Sequence, residues 1–157
     1  MHTSIRRTDK SKSTEDARQI LADAPWGTLA LTLESGYPYC VPVSHIYHEG
    51  SIYFHSATAG HKYEALARGP KVCFSAVSSA TRVLPGKFTV AYASAVAFGQ
   101  VSLVGDRDEA IRLLELITEK HDPTAGPEST AGYIRAHFER CCVFKITVEH
   151  LTGKGIA

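Results

Sequence analysis

Apolar positions recur along this chain at two spacings, and the switches between them mark the elements. Over residues 13–24, Ala17, Ile20, Leu21 and Ala24 fall three or four apart behind a Ser or Thr cap and the acids Glu15 and Asp16. That spacing predicts a helix, which Pro25 stops. Residues 26–33 predict a strand, Glu34-Ser35-Gly36 a turn, and residues 39–47 and 51–55, rich in β-branched and aromatic side chains, a hairpin around His48-Glu49-Gly50. Helical composition returns over residues 61–68 and ends at Gly69-Pro70. Residues 71–79 and 92–104 read as strands, the second with Ala91, Ala93, Ala95 and Ala97 presenting a face of small side chains to which a flat or bulky partner can come close. Residues 109–121 form an amphipathic helix with Ile111, Leu114, Leu116 and Ile117 on its buried face. A two-proline loop over 122–128, a short helix over 129–138 and a last strand over 142–149 follow. The pattern is that of a mainly β protein, an antiparallel meander with helices at its periphery.

Pro42 sits inside the first hairpin run, and because proline cannot donate to a ladder it places that strand at an edge, at a bulge or against a ligand. After the second strand, the small residues 56–60 let the backbone bend tightly, and a helix is expected to start near Gly60. Unpaired N–H groups and the Lys62 ammonium at such a helix start attract phosphate. Spacing alone equally allows a hairpin followed by a surface helix whose lysine is merely solvated.

Composition narrows the class. At 157 residues the chain fits one domain, with residues 1–14 as a polar arm ordered only by docking. With 44% hydrophobic and 21% charged residues and a formal net charge of +1, it has no electrostatic reason to bind nucleic acid or an anionic membrane. No apolar run reaches the roughly 20 residues that span a bilayer, and the start lacks the apolar stretch of a secretory signal. The cytoplasm is the expected location. Cys40, Cys73, Cys141 and Cys142 lie in strand-like apolar contexts and read as reduced core thiols. His45 and His48, three apart on a strand, point to opposite faces, so no metal site is expected from them.

Val41-Pro42-Val43 on the first hairpin strand, Tyr53-Phe54-His55-Ser56-Ala57 on the second, Gly60-His61-Lys62 after it, and Tyr92-Ala93-Ser94 with Gly99 follow in an order and spacing of some specificity. Together they resemble the pyridoxamine 5'-phosphate oxidase-related flavoproteins, in particular the nitroimidazole-resistance (Nim) branch. The resemblance runs from Arg6-Arg7 to Gly153-Lys154. It implies a split β-barrel homodimer binding flavin mononucleotide (FMN) at the subunit interface. It further implies that Val41, Pro42, Val43 and Ser44 line the flavin ring with their backbone. Phe54, His55, Ser56 and Ala57 then lie near the ribityl chain and phosphate, Gly60, His61 and Lys62 bind the phosphate, and Tyr92 and Ser94 approach the ring or the partner's cofactor. The oxidase branch carries an arginine beside its phosphate-binding lysine; here that neighbour is His61, which argues against pyridoxamine phosphate oxidation. The excursion over residues 79–89 around Pro85-Gly86 is placed to cover a pocket, its Arg82 and Lys87 either solvated or touching phosphate or substrate. On base rates the C-terminal Gly-Lys-Gly-Ile-Ala reads as a frayed tail, with a reach across a dimer interface the other option.

An isoalloxazine ring carries hydride and electrons itself, so the absence of a recognisable nucleophile and base pair says nothing against such chemistry. His55 is the ionisable group best placed to donate a proton as an acceptor is reduced. The expected function is an FMN-dependent reductase using NADH or NADPH on small electrophiles such as nitro-aromatics or quinones. The alternatives are a non-catalytic flavin-binding, storage or redox-sensing protein, and a heme-binding split barrel.

Overall fold

The computed structural model describes residues 5–156. Along the chain run β1 (Ser11–Lys12), α1 (Thr14–Asp23), β2 (Gly27–Thr32), β3 (Pro38–Val43), β4 (His45–His48), β5 (Ser51–Ala57), α2 (His61–Ala67), β6 (Lys71–Val77), β7 (Arg82–Leu84), β8 (Thr89–Leu103), α3 (Arg107–His121), α4 (Pro127–His137) and β9 (Cys141–Ile156). Seven strands pair antiparallel in the order β3-β2-β6-β8-β9-β5-β4, with β1 added to β9 and β7 to β8. The two ends of that path, β3 and β4, are consecutive in the chain and separated only by Ser44. A sheet whose opposite edges are one residue apart must curl until they meet. Because β3 and β4 do not pair with each other, the result is a split β-barrel rather than a closed one.

The hairpin at Glu49-Gly50 forms as expected: both turn residues have positive φ, 47° and 78°, and His48 faces Ser51 across a two-residue loop. The run over residues 39–47, however, is two strands. Up to Val43 the chain pairs with β2, and from His45 it pairs with β5, at the other end of the sheet. Pro42 faces Thr28 on the edge strand, the position its missing N–H requires.

Two cores result. One lies inside the barrel, where Leu21, Leu29, Phe54, Phe74, Phe144 and Ile146 pack with α1 closing the opening. The other lies outside β4, β5 and β9, where Ile46, Tyr53 and Val143 meet Leu113, Leu114 and Ile117 of α3 and Ile134 of α4. The alanines of β8 do not leave a gap for a ligand: Ala95 and Ala97 are fully buried in the inner core.

Up to Ile156 the C-terminal segment is paired rather than frayed, and Ala157 lies outside the described residues. β9 continues through Ile156, its later half paired with β8 from Tyr92↔Ile156 to Phe98↔His150. Past a bulge at Phe98/Gly99 the ladder resumes, and a Cβ at Gly99 would come within 2.1 Å of the Thr147 carbonyl oxygen, so only glycine fits this close backbone approach. Of the expected N-terminal arm, residues 1–4 lie outside the described residues, while Ser11 and Lys12 dock on β9 opposite Lys154 and Gly153. The excursion over residues 79–89 contains β7, which folds back on β8 as a hairpin. α4 starts at Pro127, earlier than its composition suggests, because proline suits a first helical turn. Among the described residues no helix is long and apolar enough to cross a membrane.

α1 begins with a reciprocal cap. The Asp16 N–H donates to Ser13 Oγ at 3.0 Å and the Ser13 N–H donates to the Asp16 carboxylate at 3.1 Å. Ser13→Ala is expected to destabilise the protein by about 1 kcal/mol. A lower urea midpoint at unchanged slope is the expected readout.

Candidate functional site

The end of β5 and the start of α2 bring the expected phosphate residues together. Gly60 stands before α2 with φ 99°, a conformation that suits glycine, and its side-chain direction is open, with nothing within 4 Å of where a Cβ would be. α2 is seven residues long, so its dipole contributes little and any anion must be held by side-chain charge. That charge is Lys62, which is half-buried. Burial pushes its pKa below the usual lysine value, and the neighbour that favours its charged form is the Cys142 thiol rather than a carboxylate. Cys142 in turn donates to the Ser56 and Ala57 carbonyls at 3.6 and 3.7 Å, which ties β9 to the end of β5. His61 is exposed beside Lys62.

His55 points to the outer face of β5 and is exposed, yet partial desolvation, then the nearby positive charges of Lys62 and His121, hold its pKa below the usual histidine value. The imidazole is therefore neutral at pH 7. Extending the β4–β5 register by one residue beyond His45↔Phe54 sets Ser44 opposite His55. Ser44 thus links this cluster to the edge strand β3, whose alternate N–H and C=O groups β2 does not take.

Not every expected residue offers its side chain. Phe54 is fully buried and stacked on Phe144 with ring centroids 5.8 Å apart, and Ser56 and Val43 are also buried. At those positions only backbone can meet a ligand. Val41 is half-buried against the inner core, whereas Pro42 faces outward. Tyr92 and Ser94 lie on β8, three strands across the sheet from Pro42. Pro42, Thr28, Ser75 and Val96 lie in one row across four strands, so β8 is about 14 Å from β3 at roughly 4.8 Å per strand. Ser94 Oγ donates to the Lys154 carbonyl at 3.4 Å. Arg82 and Lys87 are both exposed on the β7–β8 hairpin. The cysteines are free, but Cys40 is exposed on β3 rather than in the core, because its strand is an edge and its side chain faces outward.

His45, Lys120 and His121, none of which the sequence assigned to this site, build its floor. His45 is fully buried, and its Nε2 donates to the Leu21 carbonyl at 2.8 Å, which fixes the proton on Nε2 since a carbonyl only accepts. The His45 Nδ1 has no partner, and the ring meets Phe74 edge-on at 4.8 Å. Burial, then the Lys120 charge, pushes the His45 pKa down to about 4. The carbonyl of His45 accepts from Lys120 Nζ at 3.0 Å and from His121 Nε2 at 3.1 Å, while Lys120 also donates to the Ala24 carbonyl at 2.9 Å. The last turn of α3 thereby clamps α1 to β4. His121 stacks on Trp26 at 6.3 Å and 25°. Trp26, Gly27, Thr28, Pro42, Ser75 and Val77 line an open cavity of about 320 Å³ next to the edge strand. The only sequence signal for this group was an aromatic next to a proline stop; the rest depends on residues up to 96 positions apart.

Comparison with known proteins bears on the fold and the family. A family model described as pyridoxamine 5'-phosphate oxidase matches residues 13–155. Among solved structures, the chain is similar to a proposed 5-nitroimidazole antibiotic resistance protein of Bacteroides thetaiotaomicron, with 21% identity over 98% of this chain and 95% of that one and a TM-score of 0.71. It is similar to an FAD-binding protein of Mesorhizobium loti, with 22% identity over 94% and 98% of the two chains and a TM-score of 0.64. An FAD and heme binding protein of Mycobacterium smegmatis matches at 20% identity over 93% and 73%, with a TM-score of 0.71. At these identities the likeness is one of fold. No curated protein matches the chain.

Proposed function

The chain belongs to the pyridoxamine 5'-phosphate oxidase family, and from that premise we propose that it is a cytoplasmic FMN-dependent reductase, taking electrons from NADH or NADPH for small electrophiles such as nitro-aromatics or quinones. The observation that carries the flavin reading is the half-buried Lys62 ammonium, whose charged form no carboxylate supports, beside neutral His55 at the open Gly60 turn. Such an ammonium has room for a phosphate, and a charge-assisted bond there is stronger than a neutral one.

In this reading Lys62 and His61 hold the phosphate, with the Gly60 backbone turning around it. The backbone of β5 from Phe54 to Ala57 runs beside the ribityl chain. Val41, Pro42, Val43 and Ser44 offer the unpaired backbone groups of an edge strand to the polar rim of the ring. FMN, when bound, supplies the hydride and electron chemistry. His55, neutral at pH 7 and raised in basicity by an adjoining phosphate, takes up a proton and gives it to the reduced acceptor. It is the one residue given a catalytic role.

A homodimer with the cofactor at the interface is part of the same proposal. Val83 on β7, Val90 on β8 and Phe88 in the turn between them are exposed. A second copy covering that face would also bring its own Tyr92 and Ser94 toward the first copy's ring.

The test is direct. The purified protein is expected to be yellow and to bleach with NADH or NADPH, and Lys62→Ala is expected to weaken FMN binding by about 1.5 to 3 kcal/mol, roughly 10- to 150-fold. A colourless protein that takes up no added FMN overturns the flavin reading. A yellow protein that neither nicotinamide bleaches is a flavin carrier or sensor, and a Soret band places it with heme binders.

A further inference from the structure

The geometry points to the cavity beside Trp26 as a second ring subsite, one that takes the neutral, planar ring of the electron acceptor stacked on the indole. It deepens the reductase reading and adjoins the flavin position through Pro42, yet it stands on its own observations.

Trp26 is 63% exposed, which is high for the largest apolar side chain of the chain, at the mouth of a cavity. It is nonetheless held. His121 backs the indole at 6.3 Å with a nearly parallel ring, and His121 is itself fixed by the hydrogen bond from its Nε2 to the His45 carbonyl. Pro25 before it and the start of β2 after it restrict its backbone. A rigid, open aromatic surface loses little entropy when a second ring stacks on it.

The remaining walls select the ligand's charge. Gly27, Pro42 and Val77 are apolar, and Thr28 and Ser75 bring hydroxyls that can donate to a carbonyl or nitro oxygen. Among the described residues, no ionisable side chain lines the cavity. A carboxylate or sulfonate placed there would lose hydration with no countercharge, whereas a neutral ring would not. The cationic group, Lys62, and its neighbour His55 lie on the other side of Ser44, so anion binding and ring binding are separated by the edge strand.

The test uses menadione, a neutral bicyclic quinone, and a naphthoquinone sulfonate as its charged counterpart, measured by equilibrium dialysis against FMN-loaded and flavin-free protein. Trp26 is the chain's single tryptophan, so its emission follows occupancy in the unmodified protein. Menadione is expected to bind saturably and quench that emission, and to bind about tenfold more weakly to Trp26→Ala, with Trp26→Phe recovering most of the loss. The sulfonate is expected to bind about tenfold more weakly than menadione to the unmodified protein. FMN affinity is expected to be unchanged in both variants. Menadione affinity in Trp26→Ala within twofold of the unmodified protein overturns the subsite, as does a variant that loses FMN in parallel or dissociates into single chains. Should the protein refuse FMN but bind menadione through Trp26, the subsite is upheld and the flavin reading alone fails.

Discussion

Phe74→Ala is expected to remove about 3 to 5 kcal/mol of stability, the range for deleting a buried phenylalanine ring. Phe74 is fully buried in the inner core, touches His45 edge-on at 4.8 Å, and fills the space in front of Gly27, where a Cβ would stand 1.9 Å from its Cζ. Gly27 therefore has no side chain because the ring occupies its place. Gly27→Ala alone is expected to be destabilising too, by about 1 to 3 kcal/mol from overpacking. In the Phe74→Ala background the same methyl enters a cavity, so the cost of Gly27→Ala is expected to vanish or reverse. A double-mutant cycle by urea unfolding measures this coupling, and additive losses would show that the ring and the glycine do not compete for one space.

Acid is expected to destabilise the protein through His45. The unfolded histidine titrates at 6.5 and the folded one at about 4, so between those values the unfolded chain binds the proton and the folded one does not. Stability from the neutral buried ring is thus present above pH 6.5 and drains as pH falls toward 4. The full window is worth about 3 kcal/mol at 1.36 kcal/mol per pH unit. The cause is visible in the packing: protonation must add an N–H at Nδ1, which has no acceptor, with Lys120 and His121 of α3 adding positive charge nearby. His45→Gln keeps a donor for the Leu21 carbonyl and cannot take up the proton. Its unfolding free energy is expected to fall less than that of the unmodified protein between pH 7 and pH 4, by most of that amount. Parallel pH profiles would remove His45 from the account.

The membership of the chain in the pyridoxamine 5'-phosphate oxidase family was readable in its short motifs, and so was most of the element order. Signals that act within a few residues were dependable: the Ser13 and Asp16 cap, the Glu49-Gly50 turn, the Gly60 break and the edge position forced by Pro42. The carry-over of binding positions picked residues that the fold brings close together, Gly60, His61 and Lys62 near His55. It could not separate side chain from backbone, since nothing local distinguishes buried Phe54 and Ser56 from exposed His55 between them except the face each takes.

What the sequence by itself determined is most of the strands, helices and turns with a local start or stop signal, because caps, turn residues and apolar period act over one or two turns of chain. The tertiary structure alone decided three things: that the run 39–47 breaks at Ser44 to join opposite edges of the sheet, that the last segment is a strand to Ile156, and that His45, Lys120, His121 and Trp26 form one support under the cavity. Each of these depends on partners tens of residues away, and a strand edge or a lone carbonyl accepts many such partners equally well until the barrel curls and leaves only one within reach.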